Sequence, residues 1–453
     1  MLNWYNSINI QKDGKKNRIK ALIVLSFLIV FPLIINTSLL SIYNRELDNI
    51  GNELSEDLNV LPSSIGPPNA HYFTFYKVIT IDKDKVTGTG SHSNFPFLIS
   101  ILDPDLRYDV QADGDDIAFA SGVEWLDHEI ELFDQTYSST HAQLIAWVRI
   151  PSLSTSVNTT ITMYYGNSTM SDQSNPTGVW INGYVGVWHM NQNPSGSSPQ
   201  IKDSTGNNND GSSVGTMTSN DLVMSKIGYG IEFDGIDDAI NIHNDATLNP
   251  VNFISLEAWC IADSVSETHG IITKTFNQYQ WMLRSQSPDG HIRISIQDTL
   301  NTYNAPSSLS TGNYHHIVGT YGGSNIRAYL DGTEDGSGYS LSTTMTDNNG
   351  DVRIGSKDAT LFWDGIIDEV RISNVPRSAS WIKTERDNQN NPSSFYSISE
   401  EQLVNDKPPK TNYFNYYKVI TIDKDKVSGS GSYVNFPLLI SIQDEDLRFD
   451  VQP

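Results

Sequence analysis

Cysteine is almost missing: Cys260 is the only one in 453 residues. That excludes an intrachain disulfide, a cysteine-based structural zinc site and an iron–sulfur cluster. It sits in the apolar run Leu256-Glu257-Ala258-Trp259-Cys260-Ile261 and reads as core packing. Basic side chains are scarce too, 29 against 53 acidic ones, for a net charge of −24. A nucleic-acid surface needs Lys and Arg in excess, because phosphate neutralisation supplies most of that affinity, so nucleic-acid binding is disfavoured. Charged residues make up only 18%, against about 25% in ordinary domains. Ser, Thr, Asn and Gly take their place, a mixture that suits strands and turns. No Gly-rich phosphate loop, nucleophile elbow or HExxH is present, and no enzymatic activity is expected.

What is there begins with Lys12, Lys15, Lys16, Arg18 and Lys20, ahead of an apolar run from Ala21 to Ile35. A basic flank (1–20) before such a run is the pattern of a secretory signal or signal anchor, with the positive end kept in the cytoplasm. Continued to Tyr43, the segment has 23 residues, enough to cross a bilayer core of about 30 Å. Both a retained membrane anchor and a cleaved signal peptide fit. The rest of the chain is expected at the cell surface or outside the cell, after a linker over 44–70 rich in acidic residues and Pro.

The sequence repeats itself once. Residues 76–111 and 417–452 are identical at 28 of 36 positions, starting with the shared block Tyr76-Lys77-Val78-Ile79-Thr80-Ile81-Asp82-Lys83-Asp84-Lys85-Val86. The spacing of 341 residues is that of a multidomain cassette, far beyond a solenoid period. The chain stops before any counterpart of Asp113-Gly114-Asp115-Asp116-Ile117. Half a β-domain leaves strands unpaired, so the expectation is a fragment of a longer reading frame: a linker at 386–411, then a truncated second copy at 412–453.

Between the copies the pattern is β. Ile292, Ile294 and Ile296 alternate with Arg293, Ser295 and Gln297, and Ile326, Ala328 and Leu330 alternate with Arg327, Tyr329 and Asp331. Repeated strands with turn signals about every dozen residues predict an all-β chain of two sandwich or jelly-roll modules in tandem, after the N-terminal hydrophobic helix. One short helix is expected at Ser378 to Asn388.

Two family resemblances overlie this pattern. Residues 72–182 are similar to domain-of-unknown-function 2341, through Phe95-Pro96-Phe97-Leu98-Ile99, Asp113-Gly114-Asp115-Asp116-Ile117, Glu129-Ile130-Glu131, Trp147-Val148-Arg149-Ile150-Pro151 and Thr160-Ile161-Thr162-Met163-Tyr164-Tyr165-Gly166-Asn167. That family implies a β-rich surface module without an assigned activity. Residues 185–385 resemble a laminin-G-like, concanavalin A-type jelly roll. The likeness rests on Gly186-Val187-Trp188-His189-Met190, the loop Asp203 to Gly211, Phe233-Asp234-Gly235-Ile236-Asp237-Asp238, Leu256-Glu257-Ala258-Trp259, Tyr314 to Tyr321 and Phe362 to Ile372.

This second resemblance implies a structural calcium ion that ties the N-terminal loop to the last strand, with Asp203, Asn208 and Asp368 as ligands and Asp210 beside them, and with a solvated Asn/Asp turn as the alternative. The turn at Phe233 to Asp238 is expected to cap its own backbone amides rather than hold an ion. Tyr279, Trp281, Tyr303 and Trp363 lie in or near turn-rich stretches and are the candidate sugar-stacking aromatics, with core packing as the alternative for each. Glu129-Ile130-Glu131-Leu132-Phe133-Asp134 superficially resembles the carboxylate strand of retaining glucanases, but it ends in Asp and lies outside the jelly roll. His315 and His316 are neighbours on a strand, point to opposite faces and cannot share an ion. Asn158-Thr159-Thr160 and Asn167-Ser168-Thr169 are glycosylation sequons of the kind a Thr-rich chain contains by chance.

These readings lead to an exported surface protein that binds extracellular carbohydrate or protein through a calcium-stabilised jelly roll, with no oligomer expected. The alternatives are a non-catalytic spacer in a surface array, or an accessory binding region of a polysaccharide-degrading enzyme whose catalytic domain lies beyond Pro453.

Overall fold

Period-two patterning builds the first module. On the strand Phe75–Ile81, Ile79 and Ile81 point to one face and are buried, and Lys77 on the same face reaches the carboxylates of Asp103 and Asp105 at 2.5 and 2.8 Å. This strand runs antiparallel to Thr159–Tyr165, which pairs in turn with Ala118–Ser121, itself paired with Glu124–Leu126. A three-stranded sheet of His92–Asp103, Ala142–Leu153 and His128–Asp134 closes over it, with Phe97, Ile99, Leu144, Ala146, Ile161 and Met163 filling the space between. The computed structural model describes residues 67–404 apart from 277 and 299, with the backbone alone at 276, 278 and 279. The hydrophobic segment at 21–43, nearly all of the linker at 44–70 and the second copy at 412–453 lie outside the described residues. Among the described residues no helix is long and apolar enough to cross a membrane.

The jelly roll expected at 185–385 is two facing antiparallel sheets. One runs in the order Leu222–Met224, Tyr229–Asp234, Asp364–Ser373, Ile254–Ala262, Tyr314–Tyr321, Asn325–Leu330 and Thr333–Glu334, joined by Tyr184–Trp188 and Tyr339–Ser340. The other runs Thr302–Ser308, His291–Ile296, Gln278–Gln286, His269–Phe276, Val352–Ile354, Ala239–Ile242 and Gly211–Val214. Ile292, Ile294 and Ile296 from one sheet and Ile326 and Ala328 from the other meet in the shared core, as their alternation predicts. The first strand, Tyr184–Trp188, lies beside the last, Asp364–Ser373, with Trp188 opposite Val370.

The linker expected from 386 is instead structure as far as it is described. The helix predicted at 378–388 forms over Ala379–Asn390, started by the Ser378 side chain, which accepts the Trp381 N–H. Beyond it, Tyr396–Ile398 and Gln402–Leu403 return to the first module and pair with Phe75–Ile81 on its free side. Trp381 and Phe395 enter the first module's core, while Ile382 packs on Val318 and Tyr329 of the jelly roll. Tyr329 was on the polar face of its strand by alternation and is buried because this helix covers that face. Two polar side chains of this stretch are spent on buried partners, Asn388 on the Leu98 backbone and Gln389 on the Trp259 indole.

The outer faces of the first module's three-stranded sheet and of the jelly roll's larger sheet are joined. Leu98, Ile145 and Trp147 from one meet Tyr184 and Val187 from the other, with Val179, Trp180 and Ile227 between them. This seam is apolar at that point and heavily charged beside it.

Candidate functional site

The loop Asp203 to Gly211 is fastened by one carboxylate. Asp203 Oδ1 accepts the N–H groups of Val187 and Thr205 at 3.0 and 2.9 Å, and Oδ2 accepts the Thr205 hydroxyl and the Asn209 N–H at 2.8 and 2.9 Å. A carboxylate offers about four acceptor sites, and all four are taken. Asp210 is engaged as well, with Oδ1 accepting the Asp203 N–H at 2.9 Å and Oδ2 the Lys202 ammonium at 2.8 Å. Asp368 belongs to the seam, where its Oδ2 accepts the Ile227 N–H at 2.9 Å. A calcium ion needs six to eight free oxygens, and Asp203, Asn208, Asp210 and Asp368 do not supply them at one point. The donor set does not fit the expected calcium site; amide donors fasten the loop instead.

The fastened loop borders an open cleft of about 400 Å3. Asn207, Asn208, Asn209 and Asp210 line one wall, and Asn244 and Asp245, after the strand Ala239–Ile242, line the other. Asn208 is exposed and holds a left-handed backbone with φ 58°, its amide nitrogen bonded to the Gly206 carbonyl. The cleft thus presents amide donors and acceptors, with two carboxylates, on a rim already fixed by hydrogen bonds.

Trp281, Tyr303 and Trp363 do not line this cleft. Trp281 and Trp363 are fully buried in the jelly-roll core, Trp363 donating its indole N–H to the Ile261 carbonyl, so neither has a face for a sugar. Tyr303 is half-buried against the same core and donates its hydroxyl to the Asp335 carbonyl. The side chain of Tyr279 lies outside the described residues. At the turn after Tyr229–Asp234, Asp234 Oδ1 accepts the Ile236, Asp237 and Asp238 N–H groups, as the capping reading expected. His315 and His316 have separate partners, Asp331 and Glu257, each at 2.9 Å.

The charged side of the seam is the part that sequence reasoning missed. Arg371 donates to Glu385 and Glu369, both at 2.6 Å, and its guanidinium lies over the rings of Trp147 and Trp180. His189 stands between Glu369 (2.7 Å from Nδ1) and Glu129 (3.2 Å from Nε2). Burial opposes its charge, but Glu369, Glu129 and Glu131 outweigh it and hold the imidazolium well above its ordinary range. Glu131 is pushed well above the usual carboxylate range by burial and then by Glu369, and so is Asp368. Burial, with Glu257 adding to it and Arg371 partly offsetting it, lifts Glu385 to about 8. Glu129 and Glu131 thus face the seam, taking the indole N–H groups of Trp180 and Trp147. The available signal was charge inside apolar strands: His189 after Val187-Trp188, and Asp368, Glu369 and Arg371 between Ile366 and Ile372. A β-bulge between Glu257 and Trp259 of the paired strand accommodates the extra residue, with Glu369 at φ 51°.

Two facing sheets whose first and last strands pair enclose one continuous core. Residues 234–383 match the family model of the concanavalin A-like lectin/glucanases superfamily. Ahead of this concanavalin A-like domain, residues 113–209 match the domain of unknown function DUF2341, a match that runs past 182 through the strand Tyr184–Trp188 to Asn209. No curated protein matches the sequence. Among solved structures, the chain is similar to the binding domain of Paraclostridial Mosquitocidal Protein 1, at 14% identity and TM-score 0.36, over 45% of this chain and 52% of that one. It is similar to domain 4 of an extracellular arabinanase from Geobacillus stearothermophilus, solved with arabinotriose, at 19% identity and TM-score 0.37, over 44% of this chain and 96% of that one. It is also similar to the receptor-binding domain of the botulinum neurotoxin C/D mosaic serotype, at 14% identity and TM-score 0.35, over 46% and 52%. The chain therefore spans about half the length of the first and third of these.

Proposed function

We propose that this is an exported surface protein whose concanavalin A-like domain binds an extracellular carbohydrate through the cleft beside the Asp203 loop, without catalysing a reaction. The observation that carries the reading is the cleft's lining. Asn207, Asn208, Asn244, Asp210 and Asp245 line one open space, a mixture of amide and carboxylate side chains of the kind that orients a hydroxyl-rich ligand. The two carboxylates and the chain's net charge of −24 favour neutral or amino sugars over sulfated or sialylated ones. Export rests on the basic flank and apolar run at 12–43. Binding is preferred to bond cleavage because Glu129 and Glu131, the pair that resembles a glucanase motif, are spent on Trp180 and Trp147 inside the seam.

The test is a glycan array probed with the full chain, with and without Ca2+. Neutral glycans should bind in both conditions. Asn208→Gly keeps the left-handed backbone and removes the amide, and should weaken binding about tenfold, the worth of one hydrogen bond. An array with no binding in either condition overturns the reading and favours a non-catalytic spacer.

A further inference from the structure

We propose that the seam between the two modules is a binding site for a first-row divalent metal ion, with His189 Nδ1, a Glu131 carboxylate oxygen and Glu369 Oε1 as its ligands. These three groups place one ligand atom each within 4.8 Å of one another. Nδ1 is 2.7 Å from Glu369 Oε1 and 3.6 Å from Glu131 Oε2, and the side chains are 2%, 0% and 0% exposed for His189, Glu369 and Glu131. Asp368, also fully buried, precedes Glu369 on the same strand.

Two independent features point to an ion. One is the support behind each ligand. His189 Nε2 faces Glu129 Oε2 at 3.2 Å, and Glu129 is itself held by the Trp180 indole at 2.7 Å and the Ser204 hydroxyl at 2.6 Å. Glu369 Oε2 takes Arg371 at 2.6 Å, and Glu131 Oε2 takes the Trp147 indole at 2.8 Å. A metal-bound histidine donates its other N–H to a carboxylate in this way, and ligating carboxylates are themselves hydrogen-bonded. The other is Glu131 Oε1, which is buried with no hydrogen-bond partner. A buried carboxylate oxygen without a partner is costly. An imidazolium at His189 accounts for both of its own nitrogens but leaves Glu131 Oε1 unsatisfied, whereas a cation bound by Oε1 itself removes that cost.

The mixed donor set selects the ion class. One imidazole nitrogen with carboxylate oxygens suits Zn2+ or Mn2+, while Ca2+ takes oxygen ligands in larger number. Glu131 belongs to the first module and Glu369 to the jelly-roll sheet, with His189 the residue just after that sheet's strand Tyr184–Trp188, so the ion would staple the modules together. The glycan reading does not depend on it.

The test uses the full chain, stripped with a chelator and refolded with or without Zn2+, and read by metal analysis, thermal melting and Co2+ absorption. Wild type should retain about one equivalent of Zn2+ and melt higher with it, because an ion bound only by the native state stabilises that state. Glu131→Gln should lose the ion. Glu129→Gln, a positioning change, should bind about 10–100-fold more weakly. If the variants fail to fold, the wild-type Co2+ spectrum still decides, since a nitrogen and carboxylate ligand set gives visible d–d bands. Folded wild type that takes up neither Zn2+ nor Co2+ overturns the proposal, as does Zn2+ retained equally by wild type, Glu131→Gln and Glu129→Gln.

Discussion

Asn388 holds the backbone of Leu98 from both sides of one peptide position: its Oδ1 accepts the Leu98 N–H at 2.8 Å and its Nδ2 donates to the Leu98 carbonyl at 3.1 Å. Two residues on, the Tyr396 hydroxyl does the same for Ser100, accepting from its N–H at 2.9 Å and donating to its carbonyl at 3.0 Å. Groups at i and i+2 of a strand face the same side, so these two side chains stand in for a missing neighbour along the free edge of His92–Asp103. Residues that follow the jelly roll therefore close the module that precedes it.

Removing either clamp should destabilise both modules together. Asn388→Leu leaves a buried N–H and carbonyl unpaired, and Tyr396→Phe exposes the same defect at Ser100, each costing about 1–3 kcal/mol. Thermal melting should show a single transition shifted down. A split into two transitions, with the jelly roll unshifted, would show that the modules fold independently.

The legible part of this architecture was the part written in alternation. Ile292, Ile294 and Ile296 marked their strand and its buried face, and the Ser378 cap marked the helix start. What alternation cannot say is which outer face meets another layer. Tyr329, Trp259 and Arg371 all occupy outer-face positions, and each is buried by elements distant in sequence: the helix Ala379–Asn390 or the first module. The same limit hid the charged seam, because Glu131 and Glu369 are 238 positions apart in the chain. The oxygens of the Asp203 loop were assigned to an ion by resemblance. Only the three-dimensional arrangement brings the Val187, Thr205 and Asn209 amides onto them.

Trp363 separates stacking from packing. As a core residue with no exposed face, Trp363→Ala should cost about 3–5 kcal/mol of stability. At temperatures where the variant stays folded, glycan binding should match wild type. A selective loss of binding with unchanged melting would return Trp363 to the list of ligand platforms.

Calcium should not fasten the Asp203 loop. Adding Ca2+ to chelator-treated protein is expected to leave Tm unchanged, because the Asp203 lone pairs are already occupied. Asp203→Ala removes the acceptor for three amides and a hydroxyl and should cost more than about 2 kcal/mol. A calcium-dependent rise in Tm that disappears in Asp203→Ala would reinstate the ion.

Alkaline solution should loosen the seam through Glu385. Its carboxyl is lifted from an ordinary 4.5 to about 8 by burial and by Glu257, against the opposing pull of Arg371 and Arg377, while the Tyr184 hydroxyl and the Trp381 indole donate to it. Between these two values the native protein keeps a proton that the unfolded chain has released, so unfolding releases a proton there. The stabilisation is complete below about pH 4.5 and declines as pH rises through 8. Glu257 works in the opposite sense: burial raises it, but His316 and Arg371 overcome that and hold it below its ordinary value, so its contribution is lost as pH falls. Urea midpoints measured from pH 5 to 9 should therefore fall from pH 5 to about 8 in wild type and level off above that, and Glu385→Gln, which cannot ionise, should flatten that decline. An unchanged slope in Glu385→Gln would place the titration elsewhere and remove Glu385 from the account.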